Sequence, residues 1–310
     1  MSRIMGLARS PIVRWGFLIA ALGLAAWAVL RDWDSIQSAL VGIGWPLAVA
    51  ATSLSFLYVL ASMESWRSVL ADIHAKLPWR DSAEIFLTSQ LGKYIPGGVW
   101  NVVAGAELAK DRGISRARAA GTLAMTMLVS VLVGGALAGV GAAFAPHTLP
   151  GWVRLFGLAT PVCLALLAPP LLTRALHLGL RLLRRPDTDL AFSGAGIARA
   201  AGWSLVAWLL AGAQVWLIGI GLGLPATLGT FTVAAGGFAG AWLVGLAALF
   251  MPAGIGAREL VLIPVFSGLL DQAEVLVLVL LSRVLFTVAD VTLAGVPLLW
   301  RRRKVQHSSS

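Results

Sequence analysis

The sequence predicts an all-α, polytopic membrane protein, and three observations support that class. Of the 310 residues, 58% are hydrophobic and only 12% are charged, and the mean hydropathy is +0.85. The apolar residues form long continuous runs, unlike the short alternating segments of a β-barrel. No stretch is long and polar enough to form a soluble domain. We therefore expect one integral membrane domain over residues 1–310.

Eight apolar runs are candidate membrane spans, because a helix needs about 20 mostly apolar residues to cross the hydrocarbon core. They are 13–30, 44–63, 121–144, 152–172, 200–222, 228–250, 255–270 and 274–299, and the run 255–270 is short. The segment 82–110 is also apolar, but it is interrupted. The predicted architecture is therefore about eight spans plus one broken segment.

Two of these segments contain matched Pro/Gly breaks. The first, Gly92–Trp100, reads Gly-Lys-Tyr-Ile-Pro-Gly-Gly-Val-Trp, and the second, Met251–Glu259, reads Met-Pro-Ala-Gly-Ile-Gly-Ala-Arg-Glu. Pro96 and Pro252 are 156 residues apart, about half the chain. At such a break some backbone N–H and C=O groups lack hydrogen-bond partners within the helix, and lipid cannot supply any. Each break should therefore face protein or a water-filled cavity. Matched breaks in two halves are typical of a transport site.

The same symmetry suggests a two-fold internal repeat with halves 1–172 and 173–304. The sequence does not decide whether the halves are inverted or parallel. We expect the two breaks to approach each other near the membrane interior and to line one polar cavity.

The basic residues predict the orientation. Nineteen of the 24 Lys and Arg lie on one side if both termini are cytoplasmic, and only Arg31 and Arg154 lie on the other. Cytoplasmic loops carry the excess of Lys and Arg, so both termini should be inside a bacterial-type cytoplasmic membrane. Both flanks of 82–110 are basic, which predicts a re-entrant segment. The run 255–270 is expected to cross with a broken entry, although a re-entrant course stays open.

The net charge of +10 has two possible meanings. In a soluble protein it would suggest nucleic acid, but here the basic residues flank apolar spans. They are therefore expected to meet anionic lipid headgroups, and no nucleic-acid partner is expected.

Charged and polar residues inside the apolar segments are the candidate substrate-binding residues. A charge at mid-bilayer costs at least ~2.5–3.5 kcal/mol and usually faces a partner or a cavity. Lys93 and Arg258 each lie beside a break, where the positive end of a new helix would also favour an anion. Lys93→Glu is accordingly expected to abolish transport with little effect on expression. The other residues assigned to this site are Tyr94, Pro96, Gly97, Gly98, Trp100, Asn101, Gly254, Gly256, Glu259 and Arg283.

Charged residues of the last span need partners from other segments. Arg283 and Asp290 share one helix face but stand about 10 Å apart along its axis. We predict that Arg283 pairs with Glu259 and that Asp290 pairs with Arg258 or Lys93. Asp290 and Glu107 are interpreted as members of structural ion pairs.

The sequence contains no pattern that indicates catalysis, a metal or a cofactor. Cys163 is the single cysteine, the four His are scattered, and neither a Walker-type loop nor a His-Glu-x-x-His motif is present. A membrane-embedded lipid-phosphate or glycosyl-transfer enzyme is therefore disfavoured. A non-transporting partner of a lipid or cell-envelope synthesis complex stays open.

At these motifs the chain resembles the transmembrane domain of the lysylphosphatidylglycerol synthase/flippase family. Gly92–Trp100, Ala106–Gly113, Pro252–Glu259 and Arg283 carry the resemblance, which covers nearly the whole chain; Ala253 stands where the family often has Gly. The resemblance implies a translocase for a membrane phospholipid or a polyprenyl-phosphate-linked lipid. Lysyl transfer belongs to a separate soluble domain of the namesake proteins, and because this sequence stops shortly after its last span we do not expect that activity here.

Overall fold

The computed structural model describes residues 41–94, 100–144, 151–182, 190–248 and 256–308. Within these ranges the regular secondary structure is entirely helical, which confirms the all-α prediction. The α-helices are α1 (Trp45–Asp72), α2 (Trp79–Ser89), α3 (Trp100–Lys110), α4 (Arg116–Ala143), α5 (Ala159–Leu166), α6 (Pro169–Leu182), α7 (Gly194–Gly221), α8 (Leu228–Ala247), α9 (Glu259–Phe266) and α10 (Gln272–Ser308). Two 3-10 helices cover Gln90–Tyr94 and Gly151–Leu158.

The class of multi-pass membrane protein is confirmed, but the described part of the chain does not contain eight spans. Five helices are long and apolar enough to cross a membrane: α1, α4, α7, α8 and the Gln272–Pro297 part of α10. A sixth span is present if the bent pair Val153–Leu166 and Pro169–Leu178 counts as one. The predicted first span, 13–30, lies outside the described residues.

The predicted span 152–172 does not form one straight helix. A 3-10 helix and α5 are followed by α6 at an angle of 94°. The bend falls where Pro169 and Pro170 begin α6, because proline lacks the N–H that would continue the preceding helix. α5 packs on α4, where the Thr160 hydroxyl donates to the Ala136 carbonyl oxygen at 2.9 Å. Hydropathy alone registered one apolar run and missed this change of direction.

The antiparallel pair α1 and α7 defines the two ends of the bundle. The Asp72 carboxylate, at the end of α1, accepts hydrogen bonds from the Ser193 backbone N–H and hydroxyl, both at 2.6 Å. At the opposite end, Gly221 lies so close to Ile43 that a Cβ on it would stand 2.9 Å from the Ile43 Cα. The Asp72 end also holds Arg118, which donates to the Ile73 carbonyl oxygen at 2.7 Å. We call this end the basic face and the other end the far face.

The helices α2 and α3 form a re-entrant hairpin, as predicted. Each has eleven residues, or about 16 Å, which is too short to cross a hydrocarbon core of about 30 Å. The two ends of the hairpin meet at the basic face, where Arg112 contacts Asp81 at 3.1 Å and Glu84 at 2.6 Å. At the inner end, Gly92 touches the start of α3, and a Cβ there would approach the Asn101 backbone nitrogen to 2.5 Å.

The chain between α8 and α10 changes sides. α8 begins near the far face, where its Gly236 packs against Gly141 close to the end of α4. α10 also begins there, because Ser282 donates to the Gln214 side-chain oxygen at 3.1 Å in the last third of α7. The chain must therefore return across the bundle after α8. This course agrees with the predicted crossing, in which the eight residues of α9 cover about 12 Å.

Candidate functional site

A polar cavity of about 180 Å³ lies between the re-entrant hairpin and helices α1, α4, α7 and α8. Lys93 and Asn101 line it from the two sides of the first break, Arg258 lines it from beside the second, and Asp290 lines it from α10. Residues that flank the two breaks thus share one cavity. Of the predicted site residues, Pro96, Gly97, Gly98 and Gly254 lie outside the described residues, as does Pro252.

Lys93 and Tyr94 both bind the same carboxylate. The Lys93 ammonium stands 2.6 Å from Asp290 Oδ2, and the Tyr94 hydroxyl donates to the same oxygen at 2.7 Å. The Asp290 side chain is only 1% exposed, whereas that of Lys93 is 31% exposed. Of the two partners predicted for Asp290, Lys93 and not Arg258 is the one that contacts it. Lys93, Tyr94 and Asp290 together fix the inner end of the hairpin to α10.

This contact changes the expectation for Lys93→Glu. A glutamate at that position would face the buried Asp290 carboxylate, so it would disturb folding as well as any transport. Breaking a buried ion pair is strongly destabilising because the remaining charge loses its partner. The ion pair with the buried Asp290 therefore argues against the idea that Lys93 contributes little to the fold.

Arg258 differs from Lys93 because, among the described residues, no carboxylate lies within salt-bridge distance of it. It follows Gly256, whose φ of 86° belongs to the left-handed region that glycine adopts without strain. Arg258 precedes the first residue of α9, and its buried Nε has no hydrogen-bond partner within the described part of the chain. A buried guanidinium N–H without an acceptor lowers the stability of the fold, so this group is suited to donate a hydrogen bond to a bound anion.

The predicted pair of Arg283 and Glu259 is confirmed. The Arg283 Nη1 donates to Glu259 Oε1 at 2.8 Å, and both side chains are about a quarter exposed. The two residues line a smaller cavity of about 50 Å³, to which Lys93, Arg258 and Asp290 also contribute. This pair connects α9 to α10 beside the larger cavity.

The charges around the two cavities do not cancel. Lys93, Arg258 and Arg283 oppose Asp290 and Glu259, so the cluster carries one positive charge in excess. The helix α3 begins at Trp100 and α9 begins at Glu259, both next to the breaks, and helix N-termini add a further positive potential. The site is therefore electrostatically suited to one anionic group.

The remaining predicted residues lie at the edge of this cluster. Trp100 is 41% exposed. Glu107 pairs with Arg116 at 2.7 Å, where both side chains are more than half exposed, and this hydrogen bond lowers the pKa of Glu107. The predicted Glu107 ion pair is therefore present at the surface.

Hydroxyl groups of the spans also line the larger cavity, and sequence reasoning missed them. Tyr58 and Ser62 lie on one face of α1 at helical spacing with Ser65, and Thr126 and Ser204 face them from α4 and α7. The signal was the recurrence of polar residues at positions i, i+4 and i+7 within an apolar span. Among the described residues, no group of three or more His, Cys, Asp or Glu could hold a metal ion.

Apolar spanning helices around an internal charged cavity define an integral membrane protein with a candidate ligand site. The chain belongs to the family described as the lysylphosphatidylglycerol synthase TM region, whose sequence profile matches residues 13–295. The resemblance inferred from the breaks is thereby confirmed. No curated protein matches the chain.

Proposed function

We propose that the protein moves an anionic or phosphate-bearing lipid between the leaflets of the cytoplasmic membrane, as a flippase or scramblase. The observation that carries this proposal is Arg258, a cation that faces a polar cavity inside an apolar bundle without a carboxylate partner in the described part of the chain. Burying a charge at such a depth costs free energy, and charges found there usually mark a substrate path. Membership of a family named after a lipid synthase supports the same substrate class.

The lipid phosphate would bind at Arg258, because a guanidinium gives phosphate two parallel charge-assisted hydrogen bonds. Lys93 stays paired with Asp290, whose Oδ2 lies 2.6 Å from its ammonium. A cavity of about 180 Å³ suits a headgroup but not a whole lipid, so the acyl chains would stay in the bilayer. The protein would thus shield the polar headgroup while the tails cross in lipid.

Reconstitution into proteoliposomes tests the proposal. The vesicles would carry tail-labelled fluorescent phosphatidylglycerol in both leaflets, and a membrane-impermeant reductant would quench the outer leaflet. Protein-free vesicles should lose about half of the signal, and vesicles with the protein should lose more because inner-leaflet lipid reaches the outside. An unrelated membrane protein at the same protein-to-lipid ratio is the control.

The contrary result would be a quenched fraction equal to that of the control vesicles for phosphatidylglycerol and for a polyprenyl-phosphate probe. That outcome would overturn translocation. It would favour the non-transporting partner of a synthesis complex.

A further inference from the structure

We infer that the smaller cavity is a second binding subsite, which takes a hydrogen-bond donor of the lipid headgroup on the carboxylates of Asp290 and Glu259. The donor is an ammonium or a hydroxyl close to the phosphate, and both offer a carboxylate the same chemistry, namely an N–H or O–H proton. This inference rests on the proposed function, because the phosphate of the same headgroup is bound at Arg258. It gives Asp290 a role in binding beside its role in holding the hairpin.

The Asp290 carboxylate uses only one of its two oxygens within the fold. Its Oδ2 contacts the Lys93 ammonium at 2.6 Å and accepts a hydrogen bond from the Tyr94 hydroxyl at 2.7 Å. Its Oδ1 is buried and has no hydrogen-bond partner within the described part of the chain. A carboxylate oxygen accepts up to two hydrogen bonds, and a buried acceptor without a partner destabilises the fold. Because Asp290 lines both cavities, Oδ1 is the oxygen available to a ligand.

Glu259 repeats this arrangement on the neighbouring helix. Its Oε1 accepts a hydrogen bond from Arg283 at 2.8 Å, whereas its Oε2 is buried and lacks a partner among the described residues. Glu259 and Asp290 both line the smaller cavity. Two helices, α9 and α10, therefore each bring one unsatisfied acceptor to the same small volume. A donor bound there would satisfy hydrogen-bonding capacity that the fold leaves unused.

Arg258 connects the two subsites, because it lines both cavities. Its buried Nε can only donate a hydrogen bond, so it needs an acceptor such as a phosphate oxygen. The carboxylates can only accept, so they need donors. A bare phosphate would satisfy the arginine and leave both carboxylate oxygens unsatisfied. A headgroup that joins a phosphate to an N–H or O–H group satisfies both kinds of atom.

The sizes of the cavities agree with this division. The smaller one has about 50 Å³, and since a water molecule needs about 10–15 Å³ of such space, one ammonium or hydroxymethyl group fits. The larger one, of about 180 Å³, takes the rest of the headgroup. Gln90 and Asn101 line the larger cavity, but an amide both donates and accepts, so these residues adapt to either kind of headgroup. Selection for a donor therefore depends on the smaller cavity.

The test compares two pairs of tail-labelled probes with identical acyl chains in the proteoliposome assay. Phosphatidylglycerol and phosphatidylmethanol carry the same single charge, but only phosphatidylglycerol has headgroup hydroxyls. Phosphatidylethanolamine and phosphatidylcholine have the same net charge, but only phosphatidylethanolamine has N–H donors. In at least one pair the lipid with the donor should move at least tenfold faster, because a hydrogen bond to a charged group changes binding by about that factor or more. The pair that shows the preference identifies the donor as hydroxyl or ammonium.

The remaining outcomes would overturn the inference. No preference for the donor-bearing lipid in either pair would contradict the subsite and leave translocation in place. Movement of the polyprenyl-phosphate probe alone would contradict it as well, because that headgroup is a phosphate without a further donor. No movement of any of these probes would overturn the proposed function, and the inference with it.

The variants Asp290→Asn and Glu259→Gln test the two carboxylates. Lys93 and Arg283 only donate, so each amide oxygen should stay on its cation, and the amide NH₂ should replace the unsatisfied oxygen. An acceptor in the smaller cavity thus becomes a donor, and the preference should fall at least threefold in each variant. Lys93→Gln is the matched control, because it breaks the same ion pair as Asp290→Asn but leaves both carboxylates; it should slow all probes alike and keep the preference. An unchanged preference in Glu259→Gln would contradict the subsite even if Asp290→Asn did not fold.

Discussion

The two breaks look alike in the sequence but have different roles in the structure. Beside the first break, Lys93 is bound to the buried Asp290 at 2.6 Å, and Tyr94 binds the same carboxylate. Beside the second break, Arg258 has a buried Nε without a hydrogen-bond partner in the described part of the chain. The two cations occupy matched positions but differ in whether a carboxylate already binds them, and this decides whether they can bind an anion.

From this difference we propose a structural role for the first cation and a binding role for the second. A lysine held by a carboxylate mainly fixes the hairpin against α10, since its charge is already compensated. An arginine without a carboxylate leaves its charge available to a ligand. A buried or half-buried cation is tolerated only where a partner compensates its charge at least part of the time. For Arg258 we propose the lipid phosphate as that partner.

The first prediction concerns the course of the chain at the two breaks. Each cysteine should be labelled from one side of the membrane and not at all from the other. Single cysteines in a Cys163→Ser background would replace the exposed Lys76, Asp111, Ala226 and Asp271. Lys76 and Asp111 flank the hairpin at the basic face, so both should react with an impermeant thiol reagent from the cytoplasm only. Ala226 and Asp271 precede α8 and α10 and should react from the other side only. Labelling of the two hairpin positions from opposite sides would contradict the re-entrant first break.

The second prediction concerns the ion pair at the first break. Lys93→Glu should lower the free energy of unfolding by about 3–5 kcal/mol, because it leaves the buried Asp290 facing another carboxylate. Thermal unfolding in detergent measures this loss. The exchanged pair Lys93→Asp with Asp290→Lys is the control, and it should recover much of the stability. An unchanged midpoint for Lys93→Glu alone would show that the pair does not hold the hairpin.

The third prediction concerns the ion pair beside the second break. Arg283→Ala should lower the free energy of unfolding by about 3 kcal/mol. This is the lower end of the range for buried pairs, because Arg283 and Glu259 are each about a quarter exposed. Arg283→Ala combined with Glu259→Gln should be more stable than Arg283→Ala alone. A double variant less stable than the single one would argue against an orphaned carboxylate as the cause.

The fourth prediction concerns Glu107, which belongs to an exposed pair outside both cavities. Glu107→Gln should leave the unfolding midpoint and the translocation rate unchanged, because exposed ion pairs contribute little. A clear loss of activity in this variant would show that the outer part of α3 takes part in binding.

Much of this architecture could be predicted from the sequence because membrane depth imposes simple rules. Long apolar runs identified α1, α4, α7, α8 and α10, and the basic flanks identified the hairpin. The bend before α6 was missed because hydropathy measures composition and not direction. Pro169 and Pro170 supplied a signal, but proline at the edge of an apolar run is also common at the end of a straight span.

The site was predicted less completely, for a geometric reason. The sequence indicated that Asp290 needs a cation but left Lys93 and Arg258 as alternatives, because the choice depends on how deeply the hairpin enters the bundle. The lining hydroxyls were missed because Ser62 and Thr126 lie in spans where such groups usually bond their own helix backbone. They do so here as well, and only the packing of three helices shows that their lone pairs face one cavity.

The central claim is that Arg258, and not Lys93, provides the anion site, and the translocation rate of Arg258 variants tests it most directly. Initial rates for tail-labelled phosphatidylglycerol would be compared between Arg258→Gln and Arg258→Lys, reconstituted in equal amounts after their unfolding midpoints are checked. Arg258→Gln should lose at least tenfold in rate with a nearly unchanged midpoint, since a hydrogen bond to a charged group contributes about 1.5–3 kcal/mol. Arg258→Lys should keep part of the rate, because phosphate accepts either cation. A full rate in Arg258→Gln would contradict the claim.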